Sequence, residues 1–399
     1  MRRWTAMMCA VLLLLLLSGC QHDTGSSGRE TVTLKVWGAQ EDQALLQKMI
    51  DSFRAANPDK TYRITLGVVG ENDAKTRVLD DPAAAADLFS FASDQIVDLQ
   101  KAGALYEITR NKSAIQNANS AGSVEAATVE DKLYAYPMTA DNGYFLYYDK
   151  SVLSETDIRT LDGILAAANA AGKKVLMAMD DGWYAASFFL GAGCTVGVDD
   201  NGKQICDFNN ETGVQAGEAV KAFTADPAFI AGDNSILTGG IGKTICAGVS
   251  GTWNAEVIAE ALGDNYGAAK LPTFTLNGAQ KQMGSFAGYK LVGINARTQY
   301  PVEAMALAEW LTNEENQLLR FRERAMGPSN RNAAEAPEVQ QNQALAALAA
   351  QSQYATSQKY VLGGFWDPLK AFGTAMVSRD YSKPIREQLD NMVAQIVAG

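Results

Sequence analysis

The stretch Tyr134–Lys150, which reads YAYPMTADNGYFLYYDK, decides how the rest of the chain is organised. Pro137 removes a backbone donor and favours an extended conformation for its neighbour. Gly143 permits a bend, and the aromatic residues after it resume a strand-like run. The stretch therefore predicts a strand that leaves one lobe, bends and enters a second lobe, with Asp141 and Asn142 at the bend. The alternative interpretation is a half-buried aromatic hairpin.

Strand and helix patterns alternate on both sides of this stretch. Thr31–Trp37 alternates apolar and polar residues as a strand does, and Glu41–Ala56 places its apolar residues at helical spacing. The strand-like segments Arg63–Val69 and Ala86–Phe91 follow, and the second half of the chain also alternates between strands and helices. This order predicts an α/β protein with two doubly wound lobes.

Length and charge narrow the class of protein. The chain has 399 residues, which is enough for about two domains. Its net charge is −11, and it becomes −13 when residues 1–19, which hold Arg2 and Arg3, are removed. This excess of acidic residues argues against a nucleic-acid partner and against electrostatic docking on an anionic membrane.

The N-terminus has the features of a targeting segment. Arg2 and Arg3 precede the apolar run Ala6–Leu17, which is too short to span a bilayer and fits a signal peptide. Leu17-Ser18-Gly19-Cys20 then resembles a bacterial lipoprotein signal box, in which the cysteine is acylated after cleavage. The prediction is a signal peptide at 1–19, a lipid on Cys20 and a flexible tether over 20–30. An uncleaved or ordinary secretion signal is the alternative.

Three cysteines remain after these segments. Cys194 and Cys206 flank a turn-like segment, and an oxidising compartment favours disulfides. A bridge between them would close a short loop and contribute roughly 3 kcal/mol. We predict this disulfide and expect Cys246 to be a buried thiol.

The sequence excludes several kinds of chemistry. Its only histidine is His22, in the tether, so histidine-based triads and histidine zinc sites are excluded from the folded part. Gly242-Lys243-Thr244 resembles the end of a phosphate-binding loop, but Leu237 stands where that motif needs glycine. We therefore expect no metal or cofactor, and carboxylates remain as the only acid or base groups.

Aromatic residues occur together with acidic or amide residues in four stretches, three of which follow predicted strands. The stretches are Phe89–Asp94, Met179–Tyr184, Gly251–Asn254 and Phe365–Pro368. In open α/β sheets, ligands bind beyond the carboxyl ends of the strands. A sugar ring lays its C–H face on an aromatic ring, and its hydroxyl groups need carboxylates and amides in fixed positions. The mixture therefore points to a carbohydrate site, although core packing and helix capping would also account for single members.

Seven stretches, in order along the chain, carry a family resemblance. They are Val36-Trp37-Gly38, Phe53–Pro58, Ala86–Leu105, Ala135–Lys150, Gly251–Trp253, Leu271–Phe274 and Phe365–Trp366. Together they resemble the extracellular solute-binding proteins of sugar ABC transporters, of the maltose/maltodextrin-binding type. The resemblance covers nearly the whole chain from Leu34 onward. It implies a periplasmic-binding-protein-like fold (type II), in which two lobes close like a hinge on the ligand.

The resemblance also implies lobe boundaries and site residues. Lobe 1 would take residues 31–140 and 290–340, and lobe 2 residues 141–289 and 341–399. Trp253 matches the main stacking aromatic residue, and Asp141 matches an acid at the crossover. The expected ligand-binding residues are Trp37, Glu41, Phe91, Asp94, Gln95, Asp141, Asn142, Asp181, Trp183, Tyr184, Trp253, Asn254, Trp366 and Asp367.

The expected function is the capture of an oligosaccharide, with an α-glucan fragment as the leading candidate. A monomeric lipoprotein, anchored at the outer face of the membrane, would deliver the sugar to an ABC permease. One alternative is a glycoside hydrolase that uses Asp141 with Asp180 or Asp181. Another is a binding protein for a different solute, such as a peptide or a polyol.

Overall fold

The computed structural model of this protein describes residues 29–199 and 201–398. The predicted signal peptide and the predicted lipid site at Cys20 lie outside the described residues. In the part of the chain that is described, no helix combines the length and apolar character needed to cross a membrane.

The strands lie in several sheets and are numbered in chain order. They are β1 Thr31–Gly38, β2 Thr61–Val68, β3 Leu88–Ala92, β4 Thr128–Val129, β5 Lys132–Leu133, β6 Ala135–Asn142, β7 Phe145–Asp149, β8 Lys174–Leu176, β9 Val196–Val198, β10 Gln204–Cys206, β11 Phe229–Ile230, β12 Ile245–Ser250, β13 Tyr266–Ala269, β14 Thr273–Leu276, β15 Ala279–Gln282, β16 Ser285–Ile294 and β17 Ala355–Ser357.

Helices cover the sheets and connect the strands. The α-helices are Gln43–Ala56, Ala74–Asp80, Ile96–Lys101, Lys112–Ala118, Ala121–Ala126, Leu161–Ala171, Gly182–Ala192, Glu211–Ala225, Asn234–Gly240, Ala255–Leu262, Pro301–Leu311, Glu314–Arg324, Arg331–Glu335, Pro337–Gln340, Gln343–Ser352, Trp366–Val377 and Ile385–Ala398. The 3-10 helices are Gln40–Asp42, Ser93–Gln95, Asp157–Arg159, Thr252–Asn254, Gly263–Asn265, Gln358–Tyr360 and Gly363–Phe365.

Two mixed sheets define two lobes. Within the described residues, the first sheet has six strands in the order β17-β16-β3-β1-β2, and β6 pairs with β16. The second sheet has five strands in the order β11-β8-β12-β7-β13. Separate clusters of buried apolar side chains fill the two lobes. The predicted α/β fold of two lobes is confirmed.

Alternating burial explains why the first strand forms where it does. In β1 the side chains of Val32, Leu34 and Val36 are almost fully buried, and the residues between them face outward. The following helix Gln43–Ala56 buries a stripe of apolar residues against the same core. The spacing of apolar residues, alternate in β1 and helical in Gln43–Ala56, therefore explains why both elements pack against the core of lobe 1.

The chain crosses between the lobes within Tyr134–Lys150. β6 pairs with β16 in the first sheet, and β7 pairs with β12 and β13 in the second sheet. Gly143 and Tyr144 separate the two strands. The predicted strand that bends and enters a second lobe is confirmed, and the hairpin alternative is wrong.

The chain crosses between the lobes again at β16 and β17. β16 begins at Ser285, and β17 pairs in parallel with it in the first sheet, inside a segment that we expected in lobe 2. Crossings therefore also lie near 283–284 and on both sides of 355–357. The full lobe boundaries expected from the sequence stay a proposal.

The predicted disulfide is not formed. Cys194, Cys206 and Cys246 are free thiols in the described part of the chain. In the β9–β10 hairpin Cys206 is paired with Val196, so Cys194 is offset from it by two residues. Diagonal neighbours of this kind are about 7–8 Å apart, beyond the usual Cα separation of a disulfide. Cys246 is buried, as expected.

Candidate functional site

A cleft of about 860 Å³ lies between the two lobes. Lobe 1 contributes Glu41, Glu71, Asn72, Ala92, Asp94, Gln95 and Lys290. Lobe 2 contributes Leu176, Ala178, Asp180, Asp181, Trp183, Tyr184, Gly232, Asp233, Asn234, Val249, Trp253, Trp366 and Lys370. Asn142 and Gln358 line the cleft from the crossing segments.

The topology explains why these residues meet. Glu71 and Asn72 follow β2, and Asp94 and Gln95 follow β3. Other lining residues in lobe 2 follow β8, β11 and β12, so they too lie beyond the carboxyl ends of strands. Loops at these ends meet at one edge of each sheet, and the two edges face each other.

The wall from lobe 2 is aromatic. Trp253 is 38% exposed, and its ring centroid lies 5.9 Å from that of Trp183, with the rings tilted by 35°. Trp366 lines the same cleft, and its ring packs edge-on against Phe286, with the ring centroids 5.4 Å apart. Three indoles therefore line the lobe 2 side of the cleft.

Two buried tyrosines hold the loops that carry the indoles. The Tyr144 hydroxyl donates to the Trp183 carbonyl at 2.9 Å, and the Tyr147 hydroxyl donates to the Gly251 carbonyl at 2.9 Å. Tyr144 also packs edge-on against the Trp183 ring, with centroids 4.6 Å apart. The strand that enters lobe 2 therefore fixes the backbone of the aromatic wall.

The wall from lobe 1 is polar. Gln95 donates to the backbone carbonyls of Glu71 and Asn72 at 2.7 and 3.3 Å, and its own carbonyl accepts from the Lys75 N–H. Its amide is therefore occupied in holding the loop after β2. Glu71 is 9% exposed, and its Oε1 has no hydrogen-bond partner among the described residues.

Asp94 has the most perturbed carboxyl group in the cleft. Burial raises the pKa of Asp94 to about 6, while its own backbone N–H and the Gln358 side chain act to lower it. Its Oδ1 is buried without a hydrogen-bond partner in the described part of the chain. A buried acceptor of this kind is costly unless a ligand supplies a donor.

Charge in the cleft is strongly negative. Among the described lining residues, the carboxylates outnumber the ammonium groups by six to two. The carboxylates are Glu41, Glu71, Asp94, Asp180, Asp181 and Asp233, and the ammonium groups are Lys290 and Lys370. Lys290 lies 3.8 Å from Glu71, so part of its charge is already compensated. Such a cleft disfavours anionic ligands.

Nine of the fourteen residues expected at the site line the cleft, among the residues that the structure describes. They are Glu41, Asp94, Gln95, Asn142, Asp181, Trp183, Tyr184, Trp253 and Trp366. The structure thus brings together side chains from both lobes and from the crossing.

Trp37 and Phe91, which we also expected at the site, do not line the cleft. Phe91 is fully buried in the core of lobe 1, because both faces of β3 are covered, and Ala92 reaches the cleft in its place. The Trp37 ring lies over Gly67 on the neighbouring strand, where an added Cβ would come within 2.7 Å of it. Both rings therefore serve packing within lobe 1.

Asp141, Asn254 and Asp367 also lie outside the cleft. Asp141 is buried and accepts hydrogen bonds from the Gly327 N–H at 2.6 Å and the Thr252 hydroxyl at 3.2 Å. The Asn254 amide donates to Asn234 and Ser250 instead of facing the opening. Asp367 is exposed on the first turn of its helix, and Lys370, one turn further on, lines the cleft.

Several residues that line the cleft were not predicted from the sequence. Glu71 and Asn72 directly follow β2, so the rule on the carboxyl ends of strands would have found them. Lys290 lies within a strand, and Gln358 follows a three-residue strand that no periodicity reveals. For these two residues the sequence carries no local signal.

The chain belongs to the bacterial extracellular solute-binding proteins. The model of the family described as "Bacterial extracellular solute-binding protein" matches residues 48–347, which is most of the chain. The family resemblance seen in the sequence is confirmed.

Similar proteins are known in sequence and in structure. The galactooligosaccharide-binding protein of Bacillus subtilis (strain 168) is 28% identical over 389 residues, which cover 91% of this chain and 89% of that protein. The maltodextrin-binding protein MdxE of the same organism is 27% identical over 379 residues, covering 89% and 87%. The maltodextrin-binding protein MalE1 from L. casei BL23, solved without ligand, is 25% identical with a TM-score of 0.81, covering 92% of this chain and 99% of that chain.

We predict that Tyr147→Phe lowers the free energy of unfolding by about 1–2 kcal/mol, because the buried Gly251 carbonyl loses its donor. Tyr136→Phe is the matched control, since the Tyr136 hydroxyl is buried without a partner among the described residues. Its removal should leave stability unchanged or increase it. Urea unfolding measures both variants, and equal losses would show that the Tyr147 hydrogen bond has no special role.

We predict that Asp94→Asn stabilises the protein at pH 7.5. The folded-state pKa of about 6 lies above the ordinary value of 3.8, so ionising Asp94 costs stability as the pH rises through 6. The variant should gain about 3 kcal/mol above pH 6, and the gain should disappear as the pH falls towards 3.8. Unfolding measured at several pH values tests this, and a gain independent of pH would contradict it.

Proposed function

We propose that the protein captures a neutral oligosaccharide in the cleft, as the substrate-binding component of a carbohydrate ABC importer. The observation that carries this proposal is that three indoles line one wall, while the other wall holds the carboxyl oxygens Glu71 Oε1 and Asp94 Oδ1, which have no hydrogen-bond partner among the described residues. Flat apolar surface and fixed acceptors are the two features that a pyranose chain needs.

The two walls of the cleft would recognise different parts of the sugar. Trp183, Trp253 and Trp366 offer ring faces to the C–H faces of successive sugar units. Asp94 and Glu71 offer acceptors to the hydroxyl groups on the opposite edge. A run of three indoles supports a chain of several sugars over a single monosaccharide.

The maltodextrin type is the leading candidate for the sugar. The similarity to maltodextrin-binding proteins supports it. The galactooligosaccharide-binding relative, at a comparable identity, makes the galactose series the direct competitor. Glucose and galactose differ in the orientation of the oxygen at C4, so hydrogen-bonding groups in fixed positions would distinguish the two series.

Ligand binding would shift the protein towards a closed state. A saccharide that contacts both walls binds the closed arrangement more tightly than an open one, and the lobes turn about the crossing segments. The closed monomer would then deliver its sugar to the permease subunits. A lipid on Cys20, with the tether 20–30, would keep it at the outer face of the membrane.

The arrangement favours binding over hydrolysis. A glycoside hydrolase needs two carboxyl groups on either side of one bond. Asp141 is buried away from the cleft, and Asp180 and Asp181 lie next to each other on the same wall. The pairs considered from the sequence therefore have no common bond to act on, and we propose that the protein is not an enzyme.

We predict that calorimetric titration with linear neutral oligosaccharides of the glucose series, in parallel with the galactose series, gives saturable binding of at least one series. An oligogalacturonate, with a carboxylate on each ring, should give no binding because the cleft is acidic. Absence of heat with every neutral saccharide would end the proposal. If the oligogalacturonate bound more tightly than every neutral saccharide, this would contradict our statement that the acidic cleft disfavours anionic ligands.

We predict that Trp253→Ala weakens saccharide binding by about 1–3 kcal/mol, because a stacking surface is lost. Tyr106→Ala is the matched control, since both side chains are 38% exposed and Tyr106 does not line the cleft. The control should bind as the wild type does. Unchanged affinity in the Trp253 variant would remove this residue from the site.

A further inference from the structure

Glu71 and Lys290 form a pair of opposite charges on the lobe 1 wall of the cleft. The Glu71 Oε1 lies 3.8 Å from the Lys290 Nζ, and the two side chains are 11% and 20% exposed. Both residues line the cleft. A separation of 3.8 Å is longer than a hydrogen bond between an ammonium group and a carboxylate, so the two groups attract each other without bonding directly.

The Glu71 carboxylate keeps an acceptor position for another molecule. Its Oε1 is buried and has no hydrogen-bond partner among the described residues, Lys290 included. The Glu71 backbone is fixed, because the Gln95 amide donates to its carbonyl at 2.7 Å. A buried carboxylate oxygen without a donor costs free energy, and a hydroxyl group bound in the cleft would remove this cost.

The first sheet directs Lys290 to the same opening. In the antiparallel pair of β16 and β3, Lys290 is opposite Ala92, and Ala92 lines the cleft. Residues directly opposite each other in such a pair project to the same face, so the lysine side chain projects towards the cleft. Within residues 29–199 and 201–398, no other ammonium group of lobe 1 lines the cleft.

The other neighbour of β16 is irregular at the same position. Lys290 is opposite Thr139 of β6, and the pairing shifts its register on each side of this lysine. Irregularities of this kind bend a strand locally and re-aim side chains, and they are frequent next to active sites. The bend of β6 therefore lies beside the lysine that lines the cleft.

The pair combines one group that only accepts hydrogen bonds with one that only donates them. An ionised carboxylate has no hydrogen to donate, and an ammonium group has no lone pair to offer. A sugar hydroxyl group can do both, and hydrogen bonds to charged groups are the stronger kind. Two adjacent hydroxyl groups on one ring can therefore bind side by side, one donating to Glu71 and the other accepting from Lys290.

We propose that Glu71 and Lys290 form a subsite for two adjacent hydroxyl groups of a single sugar unit. The subsite selects saccharides in which both hydroxyl groups are free, because a missing hydroxyl leaves one charged group without its partner. This inference rests on the proposed function and deepens it, since the lobe 1 wall then recognises hydroxyl groups through a donor as well as through acceptors.

The test measures affinity by calorimetry for the tighter-binding of two probes, maltotriose and the linear galactose trisaccharide, and for its mono-deoxy derivatives. Lys290→Met removes the donor, and Glu71→Gln removes the charge of the acceptor, while both keep much of the side-chain volume. Lys60→Met is the matched control, because Lys60 forms an ion pair with Glu303 in lobe 1 and does not line the cleft. Urea unfolding of the ligand-free variants measures their stability in parallel.

Lys290→Met and Glu71→Gln should each weaken binding of the parent saccharide about tenfold, because each removes a charge-assisted hydrogen bond to the ligand. One deoxy derivative should bind the wild type about tenfold more weakly than the parent saccharide does. Lys290→Met should bind this derivative and the parent equally, since the missing hydroxyl and the missing ammonium group are partners. Lys60→Met should bind every probe as the wild type does.

Unchanged affinity in either Lys290→Met or Glu71→Gln would overturn the inference, whatever the stability of the variant. Deoxy derivatives that all lose as much affinity for Lys290→Met as for the wild type would overturn it as well. If Lys290→Met does not fold, the same comparison with Glu71→Gln decides. If the wild type binds no neutral saccharide, the proposed function fails and this inference fails with it, whereas saccharide binding that the variants leave intact ends this inference alone.

Discussion

The structure depends on how the chain enters its second lobe. β6 ends the pairing with the first sheet at Asn142, and β7 begins in the second sheet only a few residues later. Just beyond this crossing, the hydroxyl groups of Tyr144 and Tyr147 bind the backbone of the two loops that carry Trp183 and Trp253. The same short segment therefore joins the lobes and holds one wall of the cleft.

Because the tyrosine hydrogen bonds hold only the wall from lobe 2, the two walls of the cleft differ. The aromatic wall is rigid, because its loops are tied to a buried strand, whereas the polar wall of lobe 1 keeps acceptors without partners at Glu71 and Asp94. Unpaired buried acceptors cost stability, and a protein retains such groups where a ligand pairs with them. The raised pKa of Asp94 is a consequence of the same burial. The cleft, where we propose that the ligand binds, therefore lowers the stability of the ligand-free protein.

Much of this arrangement could be predicted from the sequence. Gly143, after an aromatic strand, indicated the crossing, and most of the acids and indoles after predicted strands line one cleft. Phe91 could not be placed, because a strand covered on both faces gives no sign of which end residue reaches the opening. Asp141 does not line the cleft, and the sequence shows no sign of this because its partner Gly327 is far along the chain. Gln358 was not predicted, because its side chain contacts Trp183, which is far from it in the sequence, and no local pattern indicates such a contact.

The most direct measurement is a crystal structure of the protein with a bound neutral oligosaccharide. We expect electron density between the lobes, with sugar rings lying on the indoles of Trp183 and Trp253 and hydroxyl groups donating to Asp94. A saccharide bound elsewhere on the surface, with both indoles free of contact, would contradict it.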